Sequence, residues 1–155
     1  MKNWRFESKE IVNLEDMPKG TMGFAYVIVN NKTKKFYVGK KNVLSFRKKR
    51  IGKREKALTK TRKTFKHTVT ETNWKKYYGS SEDLKKDIKK YGVDNFERII
   101  IEFASNKKYL TFIELKWQMK YDVLANDTYN GNIASRYFRK DMENKPVKSR
   151  ENEEI

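Results

Sequence analysis

The chain has 155 residues, a one-domain length, with 37 Lys and Arg against 20 Asp and Glu, a formal net charge of +17. The absence of cysteine excludes disulfides, thiolate metal sites and cysteine nucleophiles, and the single histidine, His67, excludes a multi-histidine metal centre. No apolar run approaches the roughly 20 residues a membrane span needs, and the N-terminus lacks the apolar centre of a secretory signal, so a cytoplasmic location is expected.

Nine Tyr, nine Phe and three Trp argue for a folded interior despite the charge. The excess of cations calls for a polyanionic partner. Nucleic acid is the expected one, because a basic surface gains affinity by releasing counterions from phosphates.

In chain order, residues 1–21 read as an N-terminal extension, closed by Pro18 and Gly20. Residues 24–30 (FAYVIVN) and 34–39 (KKFYVG) read as strands joined by a turn at Asn30 to Thr33. A loop centred between Asn31 and Lys32 sets Tyr26 directly opposite Tyr37, on one face of the hairpin. Residues 40–67 form a basic insert with 13 Lys and Arg against Glu55 alone, expected to hold one or two short helices.

Ser81 followed by Glu82 and Asp83 marks a helix start, Leu84, Ile88 and Tyr91 share its buried face, and Gly92 ends it. Residues 96–103 (FERIIIEF) read as a third, central strand, and Ser105 as the cap of a long helix running to about residue 124. Residues 127–132 are a loop. The tail 139–155, with Pro146 and charges of both signs, is expected to be disordered. The sum is a mixed α/β (α+β) domain over 22–138, with a small three-stranded, largely antiparallel sheet flanked by helices.

There is no Gly-rich phosphate loop, Gly-x-Ser-x-Gly elbow or paired-histidine helix. Chemistry therefore falls to Tyr, Lys, Arg, the carboxylates, His67, or a metal held by carboxylate and water. On the long helix Glu114 lies at the edge of the apolar stripe of Leu110, Trp117 and Tyr121, with Gln118 just outside it. It is either a helix-edge carboxylate paired with a lysine or a metal ligand facing a cleft. Tyr26 and Tyr37 are either half-buried sheet residues or phosphate contacts, one of them a general base if Lys40, Lys41 and Arg47 lower its pKa from about 10. Lys48, Lys49, Arg50, Lys53, Arg54, Lys60, Arg62, Lys63 and Lys66 are expected to contact nucleic-acid phosphates.

Taken together, these residues resemble the GIY-YIG nuclease superfamily. Gly23-Phe24-Ala25-Tyr26 and Tyr37-Val38-Gly39 are similar to its motif pair, and Arg47 stands where its helix arginine is found. Glu114 matches its metal-binding glutamate and Tyr129-Asn130 its closing Tyr-Asn. Phe36 to Lys41 and Trp74 to Ser81 look closest to phage seg-type homing endonucleases. The first motif departs in reading Phe-Ala-Tyr, and Ile51 stands where many relatives have histidine, which leaves His67 as the only substitute.

The resemblance implies an endonuclease that hydrolyses duplex DNA, phage or mobile-element encoded, with one Mg²⁺ or Mn²⁺ at Glu114 and no small-molecule cofactor. It implies Tyr26 as base, Tyr37, Arg47, Lys40, Lys41 and His67 around the phosphate, and Asn130 orienting groups at the metal. A monomer or a DNA-induced dimer would act. An inactive nucleic-acid-binding protein and a restriction-type nuclease are the alternatives.

Overall fold

A computed structural model describes residues 1–143. Strands β1 (Trp4–Phe6), β2 (Lys9–Ile11), β3 (Gly23–Asn30), β4 (Phe36–Asn42) and β7 (Phe96–Ala104) form one sheet in the order β2-β1-β7-β3-β4. Between them in sequence lie β5 (Leu44–Arg50), α1 (Lys53–Thr59), β6 (Phe65–Glu71) and α2 (Glu82–Tyr91), and after them α3 (Lys107–Lys120), β8 (Asn132–Ile133) and β9 (Tyr137–Phe138). The class is mixed α/β as expected, but the sheet has five strands rather than three.

Both extra strands come from residues 1–21. β1 pairs in parallel with β7, the one parallel pairing in the sheet, and Trp4 is buried with its indole N–H donating to the Trp74 carbonyl. This segment is therefore part of the core and not an appendage. Its strands are three residues each, too short to show an alternating pattern.

Period-two alternation divides the sheet into two faces. Phe24, Tyr26 and Ile28 point toward Trp4, Trp74, Leu84 and Phe96. Ala25 and Val27 point to the other side, where Ala25 packs with Leu110 and Ile113 of α3, and Val27 with Val123 and Leu124 just beyond it. Arg98, also buried, donates to the carbonyls of Lys2, Lys75 and Tyr77 and lies between the Trp4 and Tyr78 rings, so it ties three segments to the sheet.

The β3–β4 hairpin is out of the expected register. Tyr26 pairs with Gly39 and Ile28 with Tyr37. The turn is centred one residue later, because Lys34 takes a positive φ of 65° and Asn30 Oδ1 accepts from the amides of Lys32 and Thr33. A shift of two residues in pairing preserves the face, so the two tyrosines are diagonal neighbours with ring centroids 6.1 Å apart.

The basic insert also differs from expectation. β5 and β6 form a separate antiparallel ribbon, Leu44 pairing with Glu71 and Arg50 with Phe65, with only the short α1 between them. Val43 at its root is fully buried, whereas no residue from Phe46 to Arg50 is. Alternating Phe46, Lys48 and Arg50 against Phe65, His67 and Val69 is a period-two pattern, and the density of lysine obscures it in the sequence.

α2 begins and ends as its sequence signals indicate: Ser81 Oγ accepts from the Leu84 amide, and Gly92 closes the helix at positive φ. β7 lies between β1 and β3, the central place expected for a continuous apolar run. α3 is capped by Asn106, one residue after Ser105, and stops at Lys120. Of the tail expected from 139, Arg139 is knit into the fold, donating to carbonyls of Val123, Leu124, Asn126, Thr128 and Asn130. Residues Arg139–Glu143 form a 3-10 helix where disorder was expected, and the part of that expectation over 144–155 lies outside the described residues.

Candidate active site

β4 is the edge strand of the sheet, and its outward backbone groups are covered one after another by side chains and by the 128–130 loop. The Tyr129 amide donates to Phe36 O at 2.8 Å. Asn130 then grips Val38 with both ends of its amide, Oδ1 accepting from Val38 N at 2.9 Å and Nδ2 donating to Val38 O at 2.8 Å. Two residues on, the Lys40 amide faces the Glu114 carboxylate and helps lower its pKa. Each of these bonds occupies a backbone group that an exposed strand edge would otherwise leave open.

A cleft of about 480 Å³ straddles this edge, lined by Tyr37, Ser80, Glu114, Gln118, Tyr129 and Asn130 among others. Tyr37 reaches it from one face of the sheet, its hydroxyl 3.1 Å from Ser80 Oγ. Glu114 and Gln118 reach it from α3 on the other face. Lys40 follows them, donating to Thr111 Oγ1 at 2.8 Å with its ammonium 4.0 Å from Glu114. Burial raises the pKa of Glu114, and the Lys40 charge and amide pull it back down.

Gly39 is fixed by close approach. A Cβ there would lie 2.7 Å from Tyr26 Oη and 2.9 Å from the Tyr37 ring. The second motif therefore needs its glycine because two tyrosine rings pack over that position. Gly23, at the other motif, leaves room for Leu110 of α3, which a Cβ would approach to 2.6 Å.

Several residues expected at the site lie elsewhere, and the tyrosine pKa values move the other way. Tyr26 is 1% exposed and does not line the cleft. Burial, then Tyr37, Tyr77 and Glu114, push its hydroxyl pKa well above 10, opposite to the lowering expected from neighbouring lysines. Lys40 lies on the far side of the sheet, and Lys41 is spent on Asn73 Oδ1 at 2.8 Å and the Tyr77 ring. Tyr37 is likewise raised, by desolvation first. Both tyrosines are hydroxyl donors at neutral pH.

Arg47 stands on β5, exposed and away from the cleft lining, because the segment expected to be a helix is a strand. His67, opposite Lys48 on the ribbon, is likewise absent from the lining. Tyr37, Glu114 and Asn130 are brought together at the cleft. Lys48, Lys49 and Arg50 extend along β5, Lys53 and Arg54 open α1, Lys60, Arg62 and Lys63 follow it, and Lys66 lies on β6.

Sequence reasoning missed Ser80, Lys40's direct partnership with Glu114, and Gln118. Gln118 Nε2 donates to Val38 O at 3.1 Å, while its Oε1 has no partner among the described residues. Its position four residues after Glu114 was the only available signal.

A set of oxygens from one half-buried carboxylate, the Gln118 amide and two hydroxyls fits a hard divalent cation better than a soft one. The described residues contain no group of three or more His, Cys, Asp or Glu able to hold a metal, so water and substrate oxygen would complete the coordination.

The tyrosine-bearing hairpin, the carboxylate on the helix after the third strand of the core, and the asparagine clamping the edge define a GIY-YIG type of domain. Over residues 4–142 the chain matches the family described as "Putative endonuclease segE, GIY-YIG domain", and it belongs to that family. It is also 37% identical over 60 residues to "Putative endonuclease segD" of Enterobacteria phage T4, a match covering 39% of this chain and 27% of that relative. No solved structure matches. Among the described residues no helix is long and apolar enough to cross a membrane.

Proposed function

We propose that this chain is a metal-dependent endonuclease that hydrolyses phosphodiester bonds in double-stranded DNA, homing-type and encoded by a phage or mobile element. The observation that carries the reading is the convergence of Tyr37, Glu114 and Asn130 on one cleft at the edge of β4, beside a polycationic ribbon. Family membership supports the nuclease chemistry.

Glu114 would hold one Mg²⁺ or Mn²⁺, which polarises the scissile phosphate and stabilises the leaving oxygen when bound. Tyr37 donates a hydrogen bond to the same phosphate, and Tyr26 braces Tyr37 from beneath. Lys40 supplies the cationic charge beside Glu114, the role expected of Arg47. Asn130 holds the strand that carries both Tyr37 and Lys40. Arg47 and His67 belong with the ribbon cations in gripping the duplex.

The test is plasmid cleavage by wild type in Mg²⁺, wild type in EDTA, and Glu114→Gln in Mg²⁺. Nicked or linear product from the first reaction alone is expected. Tight, salt-sensitive binding without cutting under any divalent ion would instead identify a binding protein on this scaffold. Cuts at one short recurrent sequence would identify a restriction-type enzyme.

A further inference from the structure

The β5–β6 ribbon has two unlike faces. Ser45, Arg47, Lys49, Lys66, Thr68 and Thr70 share one, and α1 lies on that side, its Glu55 paired with Lys66 at 2.7 Å. The other face is open. Phe46, Lys48, Arg50, Phe65, His67 and Val69 alternate along it, and all six are exposed. Phe46 and Val69 sit directly opposite each other at 48% and 54% exposure, with Phe65 at 41%. Apolar side chains on an arm with this much positive charge need a partner that is anionic outside and apolar within reach. Residues 44–71 carry 11 Lys and Arg against Glu55 and Glu71, so an acidic partner is favoured over a second copy of this chain.

We infer that this open face is a sequence-reading surface that enters the major groove of duplex DNA, an assignment that rests on the duplex substrate proposed above. Seven residues per strand span about 23 Å, at roughly 3.3 Å per residue. A two-stranded ribbon fits a major groove about 12 Å wide and is too broad for a minor groove of about 6 Å. Within that groove the chemistry of the face divides in two. Phe46 and Val69 meet thymine C5-methyl groups, and Arg50 presents a guanidinium suited to guanine O6 and N7. Lys48, held 4.3 Å from the Phe65 ring, and His67 supply further donors along the same line. The cations of α1 and the segment after it then contact flanking phosphates, which carry no sequence information. The ribbon thus sets where the duplex lies, and the β4 cleft acts on whichever bond is delivered to it.

The test uses the full chain and chemically altered DNA, so that it does not depend on a variant folding. Duplexes bound from a random-sequence pool are sequenced, and the enriched sequence is remade with deoxyuridine for thymidine or with 7-deazaguanine for guanine. Wild type is expected to bind the deoxyuridine duplex about fourfold more weakly per methyl contacted, and the 7-deazaguanine duplex more weakly as well. The Phe46→Ser/Val69→Ser double variant is expected to bind thymidine and deoxyuridine duplexes equally while keeping the wild-type salt dependence. Equal wild-type binding to natural and altered duplexes, with plasmid cleavage intact, would overturn this inference and leave the nuclease reading standing. A deoxyuridine penalty without cleavage would uphold it and remove the nuclease reading. Absence of binding to any duplex would overturn both.

Discussion

Truncating Asn130 to alanine separates two roles that one residue at the cleft can play. Val38 is fully buried, and Asn130 Oδ1 is the acceptor for its N–H. The Val38 carbonyl is better protected, since Gln118 Nε2 still donates to it after Nδ2 is removed. Asn130→Ala therefore strands one buried donor and deletes a second hydrogen bond. A stranded donor costs about 1–3 kcal/mol and each lost bond about 1 kcal/mol, so the expected loss is about 2–4 kcal/mol. For a chain of this size that is a fall in Tm of about 5–15 °C. Urea denaturation with circular dichroism, run beside plasmid cleavage below both melting temperatures, measures the two effects separately. Cleavage should fall in step with the displacement of β4, which carries Tyr37 and Lys40. A stability change under about 1 kcal/mol together with complete loss of cleavage would refute the edge-clamp argument and make Asn130 a residue that touches the reacting groups.

Glu114→Gln should abolish cleavage and also change the pH dependence of stability. Burial raises the folded-state pKa of Glu114, so its contribution is fully present below the unfolded pKa and is lost as pH rises through the folded one. The stability of the variant relative to wild type should therefore improve from pH 4 to pH 7 in metal-free urea melts, and wild-type cleavage should decline on acidification as the carboxylate takes up its proton. Gly39→Ala should cost about 1–3 kcal/mol, the usual penalty for overpacking, because its methyl would lie 2.7 Å from Tyr26 Oη; a melt checks this. Lys53→Ala, Arg54→Ala and Lys56→Ala combined should leave Tm unchanged, since all three side chains are exposed. The same variant should reduce the slope of log affinity against log salt by up to about 3, one for each phosphate contact removed.

The hairpin, α2, the central strand and the carboxylate on α3 were legible because each is governed by neighbours in the chain. β-branched runs alternate, Ser81 caps its own helix, and Glu114 falls on a face fixed by helical periodicity. The same local signals place Tyr37, Glu114 and Asn130 in the right order without stating that they meet. Their meeting depends on β4 being an edge strand, which follows only once β1 inserts beside β7 and leaves β4 without a second neighbour. A three-residue strand has too little pattern to announce that.

Protonation was the other property that local sequence could not decide. Two nearby lysines argued for a lowered tyrosine pKa, but the pleat sends Lys40 to the opposite face and the core closes over Tyr26, so desolvation raises it and the neighbouring Tyr37, Tyr77 and Glu114 add to the rise. Composition determined that this protein is folded, cationic and free of thiol and multi-histidine chemistry. Tertiary packing decided which cations reach Glu114 and which stand on the ribbon, because charge in a sequence has a sign and a position in the chain, but no direction until the backbone around it is fixed.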